Sequence, residues 1–425
     1  MLKKVSLIIL VILISGIFVL NVFAASDSLN VLGVWTGAEA EAFQKMMAPF
    51  EAETGIKVEF TGTRDLPAVL TTRVEAGNPP DVSAIPNPGQ MKEFAKSGKL
   101  VDLSTFMDMD VMGNDYSQTW LDLGSYKGKF YGVFISADLK SLVWYNPKAF
   151  VAGGYTVPAT WEEMIALSDK MVADGNTPWA IGLECGAASG WAGTDWIEDI
   201  MLRTVKPEVY DLWVSHGISW VDDRVQRAFE LFGQIALNEK YVYGGPNAEL
   251  TINFGDSPDA LFTTPPNAYM HKQATFIKSF ILDHFPDLVP GEDFDFFPFP
   301  PIDPQYGTPA LGAADMFAMF NDTPEARAFM KYIVSSAAQE IWVAELGKLS
   351  ANKQVNPAAY PDDLTRKAAK ILVNASTFRF DGSDLMPSAV GCGSFWTEIL
   401  DYVSGVSLKN VLMTIETSAL DAYRK

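Results

Sequence analysis

Residues 29–60, LNVLGVWTGAEAEAFQKMMAPFEAETGIKVEF, contain the pattern that decides the fold. Leu29–Trp35 is a short apolar strand, and Glu39–Glu53 follows as a helix with apolar side chains on one face. Gly55 ends this helix, because glycine tolerates the backbone conformation found just after a helix. Ile56–Phe60 alternates between apolar and polar residues as a second strand. The stretch predicts a strand–helix–strand unit.

The same alternation continues toward the C-terminus. Leu66–Ala76 is predicted as a helix and Asp81–Ile85 as a third strand, and a further helix starts after Pro86-Asn87-Pro88. Strands that alternate with helices of this size indicate a largely parallel sheet, which binds ligands at the carboxyl ends of its strands. We therefore predict an α/β protein.

A second α/β region begins near residue 140. In it, Trp179–Leu183 is predicted as a strand and Trp196–Val205 as an amphipathic helix. Leu311–Phe320 is a further strand-like run, and Thr323 and Pro324 open a long helix with a capping residue and a proline at the first helical position.

Composition limits the protein class. A chain of 425 residues is too long for one core, so two domains are expected. The apolar fraction of 48% excludes a disordered chain. A formal net charge of −20 argues against nucleic acid and anionic membranes as partners.

The first 24 residues have the layout of a secretory signal. Lys3 and Lys4 precede an apolar run of about 14 residues from Leu7 to Leu20, which is shorter than the 20 or so that a membrane anchor needs. Val22-Phe23-Ala24 offers a cleavage site, and no cysteine near it could carry a lipid. We predict a cleaved signal over residues 1–24, no lipobox, and a periplasmic or extracellular protein.

A search for catalytic motifs finds little. Neither an HExxH zinc motif nor a Gly-x-Ser-x-Gly nucleophile turn occurs, and no Gly-Lys pair continues as a phosphate-binding loop. Asp108-Met109-Asp110 opens like a calcium loop, but Met112 and Thr119 occupy positions that need other ligands. A glycosidase needs two carboxyl groups close together. With 52 acidic residues such pairs arise by chance, and no spacing in the sequence singles out one of them. We predict no catalytic residues, no metal and no cofactor.

Tryptophan and polar residues are concentrated between Gly190 and Trp196. This stretch places Trp191, Asp195 and Trp196 in a glycine-framed loop before a helix. Indole rings stack on the apolar face of a sugar, and carboxylates bond its hydroxyls. The alternative interpretation is that these tryptophans belong to the core. We predict that Trp191 and Trp196 contact a sugar.

Cys185 and Cys392 are the two cysteines of the chain, and each has glycine beside it. In an oxidising compartment they could pair, but two cysteines make a poor disulfide framework. A Cys185–Cys392 disulfide and two free thiols are both left open.

With these segments in hand, the chain resembles the extracytoplasmic sugar-binding proteins of bacterial ABC importers, and within them the alpha-glucoside-binding subgroup. The resemblance covers nearly the whole mature chain. General family marks are Phe50–Val58, Gly77–Val82, Val157–Trp161 and Pro324–Ala326. More specific marks are Ser136–Tyr145, Gly193–Asp199, Asn253–Asp256, Pro265–His271 and Gly391–Trp396.

The resemblance implies a two-lobed periplasmic-binding-protein fold of the class II type. Each lobe would be a mostly parallel sheet flanked by helices, and a hinge with several crossings near Asp138, Leu311 and Asn352 would join them. The implied N-terminal lobe is 25–138 plus 312–352, and the implied C-terminal lobe is 139–311 plus 353–425.

The resemblance also implies hinge closure on a sugar and delivery to ABC permease subunits by a monomeric receptor. The implied ligand is an alpha-glucoside such as trehalose, sucrose or maltose. The implied ligand-binding residues are Trp35, Glu39, Arg64, Asn87, Asp138, Lys140, Trp191, Asp195, Trp196, Asp315, Arg379, Asp384 and Trp396. The alternatives are a secreted carbohydrate-active enzyme and a receptor for another solute, such as a polyamine, a peptide or a glycerophosphodiester.

Overall fold

The computed structural model describes residues 28–424, except for the side chain of Val373. The predicted signal over residues 1–24 therefore lies outside the described residues. Within the described part, no helix is both long enough and apolar enough to cross a membrane.

The described chain is a mixed α/β protein. Its first part contains β1 Ser28–Gly33, α1 Ala38–Thr54, β2 Lys57–Gly62, α2 Leu66–Glu75, β3 Val82–Ile85, α3 Pro88–Lys96, α4 Met109–Asp115, α5 Gln118–Leu123, β4 Ser125–Tyr126, β5 Lys129–Phe130 and β6 Gly132–Phe134. The middle part contains β7 Asp138–Leu139, β8 Leu142–Tyr145, α6 Pro147–Gly153, α7 Trp161–Ala173, α8 Trp191–Thr204, α9 Pro207–Val214, α10 Asp223–Ala236, α11 Pro246–Glu249, β9 Met270–Lys272, α12 Ile277–His284, β10 Asp295–Pro298 and β11 Ala310–Ala313. The last part contains β12 Met316–Met319, α13 Pro324–Ile333, α14 Ser336–Leu346, α15 Asp363–Asn374, β13 Phe378–Phe380, α16 Gly382–Leu385, a π-helix Val390–Phe395, α17 Trp396–Val403 and α18 Leu408–Ala422.

A five-stranded sheet has the strand order β2-β1-β3-β12-β6. Strands β1, β2 and β3 are parallel, whereas β12 runs antiparallel to β3 and β6. The strands and helices predicted over residues 29–85 are confirmed here, with ends that differ by one or two residues.

A second sheet, β10-β8-β9, is antiparallel throughout. This differs from the mostly parallel sheet expected in that half of the molecule. A crossover through one helix makes strands parallel, but six α-helices separate β8 from β9 and the chain returns in the opposite direction. Trp179–Leu183, predicted as a strand, forms only isolated bridges from Trp179.

The apolar run Leu311–Phe320 is divided between two sheets. β11 pairs with β7 and β13 in a small third sheet, while β12 joins the five-stranded sheet. Asp315 lies between the two strands, where the chain passes from one sheet to the other.

Two large hydrophobic clusters fill the molecule. The N-terminal core consists of buried side chains from 29–135 and 314–351, with Phe380. The C-terminal core consists of side chains from 143–311 and 386–419. A smaller cluster around Trp144, Phe294 and Phe296 packs beside them.

Candidate functional site

A cavity that is partly open to solvent lies between the N-terminal and C-terminal cores. The N-terminal side of its wall follows strand ends: Trp35 and Glu39 come after β1, Arg64 after β2 and Asn87 after β3. Because parallel strands end at one edge of a sheet, these distant residues converge there.

The predicted residues that line this cavity are Trp35, Glu39, Arg64, Asn87, Asp138, Lys140, Trp191, Asp315, Asp384 and Trp396.

Lys348 is the centre of a buried charge cluster on the wall. Its Nζ lies 3.1 Å from Glu39 Oε1 and 3.5 Å from carboxylate oxygens of both Asp138 and Asp315. Trp35 Nε1 also donates to Asp315 Oδ2 at 2.9 Å. Lys348 was not predicted as a site residue, because a lysine just after a helix end is usually exposed.

Burial and charge oppose each other in this cluster. Burial alone would raise the pKa of Glu39, but Lys348 and Arg64 hold that pKa below its usual value. Burial raises the pKa of Asp138, an effect that Lys348 only partly offsets. Burial would lower the pKa of Lys348, but the three carboxylates raise it. Lys348 therefore stays charged.

A second cluster surrounds Lys140 on the C-terminal side. Its Nζ donates to Asp195 Oδ1 at 2.8 Å and to Asp381, and it lies 5.3 Å from the centre of the Trp191 ring. Burial is the main cause that raises the pKa of Asp195, to about 7. Asp195 does not line the cavity and reaches it only through Lys140. Its expected role as a ligand contact stays a prediction.

The carboxylates of Asp195, Glu198 and Asp381 lie within 4.8 Å of one another, a spacing that a metal ion would also fit. Most of their oxygens already have partners, however. The Lys140 ammonium bonds Asp195 and Asp381, and Glu198 accepts from the Gly382 and Ser383 amides at 2.9 Å each. This donor set fits an ammonium group rather than a metal.

Aromatic rings form the C-terminal wall. The Trp191 ring lies 5.0 Å from Phe254 and 5.9 Å from Phe276, and all three line the cavity together with Trp396. The two phenylalanines were not predicted as site residues, although Phe254 stands inside one of the motifs on which the resemblance rests.

The predicted loop before Trp196 is instead the start of α8, which begins at Trp191. Gly190 precedes it with a φ of 103°, a conformation that favours glycine. Residues five apart on a helix point about 140° away from each other. Trp191 therefore faces the cavity, whereas Trp196 is 2% exposed and packs against Trp179 and Phe232 in the C-terminal core.

Arg379 also lies away from the cavity. Its guanidinium forms a two-pronged bond with Asp211, at 2.7 Å and 2.9 Å, on the outer surface of α9. Trp196 and Arg379 are therefore left out of the candidate site.

Both cysteines are free thiols in this structure, so the disulfide alternative is not realised. Cys185 lies on the cavity wall, and burial raises the pKa of its thiol. Cys392 lies in the π-helix, and burial raises the pKa of its thiol well above the usual value.

Comparison with known proteins gives the family. Residues 36–340 match the family described as bacterial extracellular solute-binding protein. Over 390 residues, the chain is 48% identical to the osmoprotective compounds-binding protein GgtB of Synechocystis sp., covering 92% of this chain and 91% of that protein. Over 399 residues, it is 41% identical to the alpha-glucosides-binding periplasmic protein AglE of Rhizobium meliloti, covering 92% and 86%.

Solved structures give the fold. A chitin oligosaccharide binding protein superposes with a TM-score of 0.81 at 20% identity, covering 94% of this chain and all of that one. The bacterial solute receptor AcbH superposes with a TM-score of 0.79 at 20% identity, covering 94% and 99%. The predicted two-lobed fold is confirmed by this likeness.

Proposed function

Because the chain belongs to the bacterial extracellular solute-binding protein family, we propose that it binds an alpha-linked gluco-disaccharide in the cavity between its two cores. Proteins of this family are the solute-binding components of ABC importers. The receptor would deliver trehalose, sucrose, maltose or a related sugar to its permease as a monomer, without changing it chemically.

The observation that carries this proposal is the composition of the cavity wall. Trp35, Trp191 and Trp396 provide aromatic ring surface. Asn87 and Lys348 provide hydrogen-bonding groups on the same wall. Flat aromatic rings suit the apolar faces of a pyranose, and fixed polar groups suit its hydroxyls. The names of GgtB and AglE, with osmoprotective compounds and alpha-glucosides as ligands, support the same class.

The carboxylates around Lys348 are arranged as in a receptor rather than as in a glycosidase. A glycosidase needs one carboxyl group as acid and a second as nucleophile or base. Glu39, Asp138 and Asp315 instead share the Lys348 ammonium, which holds them as one ion-paired group.

We also propose that the two cores are the two lobes, with boundaries at 25–138 plus 312–352 and 139–311 plus 353–425. Polar contacts outside the cavity lining join the two lobes. Asp65 Oδ1 accepts from the Ala187 amide at 2.7 Å, and Glu93 accepts from the Ser388 hydroxyl at 2.6 Å. Such contacts suit lobes that close over a bound sugar.

A ligand panel tests the function. The purified chain is melted alone and with trehalose, sucrose, maltose, glycine betaine or spermidine. At a hundred times the Kd, the bound sugar stabilises the fold by about 2.7 kcal/mol. We expect at least one disaccharide to raise the Tm and to be recovered unchanged; the one that binds most tightly is called the probe sugar below. Consumption of the sugar, or a response to betaine or spermidine alone, would contradict the proposal.

Export is tested separately. Members of this family are exported, and we propose that the mature chain begins at Ala25. Mass spectrometry of the chain secreted by a bacterial host should find this N-terminus, and an intact residue 1 would contradict the cleavage.

A further inference from the structure

Arg64 reaches from the N-terminal side of the cavity to two aromatic rings of the C-terminal side. Its Cζ lies over both rings, 5.2 Å from the centre of Phe280 and 5.6 Å from the centre of Phe254. Phe254 belongs to the C-terminal core, and Phe280 packs against that core. A guanidinium within about 6 Å of a ring centre is attracted to the face of the ring. The contact is therefore an attraction between the two proposed lobes.

Glu39 holds Arg64 in place from the N-terminal side. Arg64 Nη2 donates to Glu39 Oε2 at 2.6 Å, and the other carboxylate oxygen of Glu39 lies 3.1 Å from Lys348 Nζ. Glu39 is buried and Arg64 is partly buried, so solvent screens this pair less than an ion pair on the open surface. The guanidinium is thus a positioned cation on the N-terminal side.

The two rings form one aromatic surface on the other side. Their centres lie 5.3 Å apart. Phe280 also packs on the backbone next to Phe254, where a Cβ at Gly255 would lie 2.7 Å from the Phe280 ring. The surface is therefore formed by packing within the C-terminal side, and Arg64 meets it from across the cavity.

The residue after Arg64 makes a second contact between the two sides. Asp65 Oδ1 accepts from the Ala187 amide at 2.7 Å. Two consecutive side chains after β2 thus reach the same part of the C-terminal side, one through its charge and the other through a hydrogen bond. This corner is where the described chain brings the two proposed lobes together.

We propose that Arg64 is a clasp, whose guanidinium binds the Phe254–Phe280 surface when the lobes are closed and so delays the release of a bound sugar. The clasp acts in addition to the place of Arg64 on the cavity wall. This inference rests on the proposed function, since it describes how long the closed lobes retain their ligand.

The expected effect is on release rather than on association. A contact made only between closed lobes stabilises the closed state relative to the open one. The lobes open before the sugar leaves, so loss of the contact speeds release, whereas the sugar still associates with open lobes at an unchanged rate.

Phe280 separates this role from direct contact with the sugar. It is not among the residues of the described chain that line the cavity, whereas Arg64 and Phe254 are. Removal of the Phe280 ring can therefore change release in only two ways: through the clasp with Arg64, or through a shift of Phe254.

The chain contains a matched control within one lobe. Arg327 lies 4.9 Å from the centre of the Phe106 ring and bonds the Asp322 carboxylate at 2.5 Å and 2.7 Å. All three residues lie in the proposed N-terminal lobe and outside the cavity lining. This pair has the chemistry of the clasp but does not join the lobes.

Stopped-flow tryptophan fluorescence of the probe sugar compares Phe280→Leu with Phe106→Leu. We expect Phe280→Leu to speed release about 3- to 10-fold and to leave the association rate within about twofold of the unaltered chain. Phe106→Leu should change neither rate by more than about twofold. Phe280→Tyr, which keeps a ring, should release the sugar nearly as slowly as the unaltered chain. A denaturant melt checks that each variant is folded, and Phe280→Met replaces Phe280→Leu if that variant does not fold.

A double-mutant cycle with Arg64→Gln completes the test. Once the guanidinium is gone, Phe280→Leu should speed release by less than about twofold more. An undiminished effect of Phe280→Leu beside Arg64→Gln would mean that it acts through Phe254, and this overturns the clasp. Release from Phe280→Leu at the rate of the unaltered chain, or an equal effect of Phe106→Leu, also overturns the clasp and leaves the proposed function standing. An unaltered chain that binds none of the sugars overturns both.

Discussion

His271 is a buried imidazole whose titration should affect stability. Its Nδ1 bonds the Ala180 carbonyl at 2.9 Å, and the residue is 2% exposed. Burial is the main cause that lowers its pKa to about 4; the Ala180 carbonyl opposes this and the charge of Lys272 adds to it. The unfolded chain takes up the proton near pH 6.5. Between pH 6.5 and 4 the unfolded state binds more protons, so folding stability falls as the pH falls.

For the same reason, the free energy of unfolding should drop by roughly 2 kcal/mol between pH 8 and pH 5 through this group alone. Other groups titrate in that range, so the measurement is the difference between the unaltered chain and His271→Asn, which keeps a donor near the Nδ1 position. Urea melts at both pH values give it. Equal pH dependence in the two proteins would show that His271 does not titrate as described.

Single residues show where sequence reasoning reaches its limit. Glu39, Asp138 and Asp315 were predicted for the site, but the lysine that unites them, Lys348, was not. Partners separated by tens to hundreds of residues leave no local pattern. Arg379 was predicted for the site but does not line the cavity. Its guanidinium bonds Asp211 instead, and Asp211 belongs to a helix far away in the sequence.

At the scale of elements, the π-helix Val390–Phe395 positions part of the site. A Cβ at Gly391 would meet the Ser383 carbonyl oxygen at 1.9 Å, whereas one at Gly393 would lie 3.2 Å from the Ser388 carbonyl oxygen. Gly391→Ala must therefore displace the segment that carries Ser383 and Asp384. We expect it to cost about 1–3 kcal/mol of stability and to weaken binding of the probe sugar.

Gly393→Ala is the matched control, since it adds the same methyl group to the same helix with more room. It should leave the affinity for the probe sugar nearly unchanged. Calorimetric titration beside a denaturant melt measures both properties in each variant. Equal effects of the two substitutions would mean that the contact with Ser383 does not position the site.

Elements were predictable where one periodic pattern fills one element, as in α1 or β2. Element boundaries that depend on distant packing were not. The run Leu311–Phe320 is apolar throughout, so nothing in its pattern shows that the chain changes sheets at Asp315. Likewise, the glycines near Trp191 suggested a loop, although a single left-handed residue at Gly190 is enough to start α8 there.

At the scale of the whole molecule, Asp65, which follows Arg64 of the cavity wall, connects the two proposed lobes through its bond with the Ala187 amide. Asp65→Ala should speed release of the probe sugar by about 3- to 10-fold, because one charge-assisted hydrogen bond of the closed arrangement is lost. Stopped-flow tryptophan fluorescence measures the release rate.

Asp108→Ala is the comparison, since Asp108 makes the same kind of bond at the start of α4, with the Asp110 and Val111 amides, away from the cavity. It should cost about 1 kcal/mol of stability and leave release unchanged. If Asp65→Ala released the sugar at the rate of the unaltered chain, the contact would have no part in holding the lobes together.

The two-lobed fold was predictable from the sequence because its motifs are spread over nearly the whole chain. The way in which the two cores meet was not, since the residues that form the cavity wall come from many separate stretches between Val34 and Trp396. Periodicity shows on which face of its helix or strand a residue lies. The orientation of one lobe relative to the other depends on contacts between elements far apart in the chain.

Calorimetric titration of the probe sugar into Trp191→Ala, beside Trp196→Ala, tests most directly whether the cavity between the cores is the sugar site. Trp191→Ala should weaken binding of the probe sugar by about 2 kcal/mol or more, because an aromatic anchor is lost. Its loss of folding stability should be smaller. Trp196→Ala should cost about 3–5 kcal/mol of folding stability as a core truncation, and its folded fraction should bind normally. Affinity in Trp191→Ala equal to that of the unaltered chain would contradict the site.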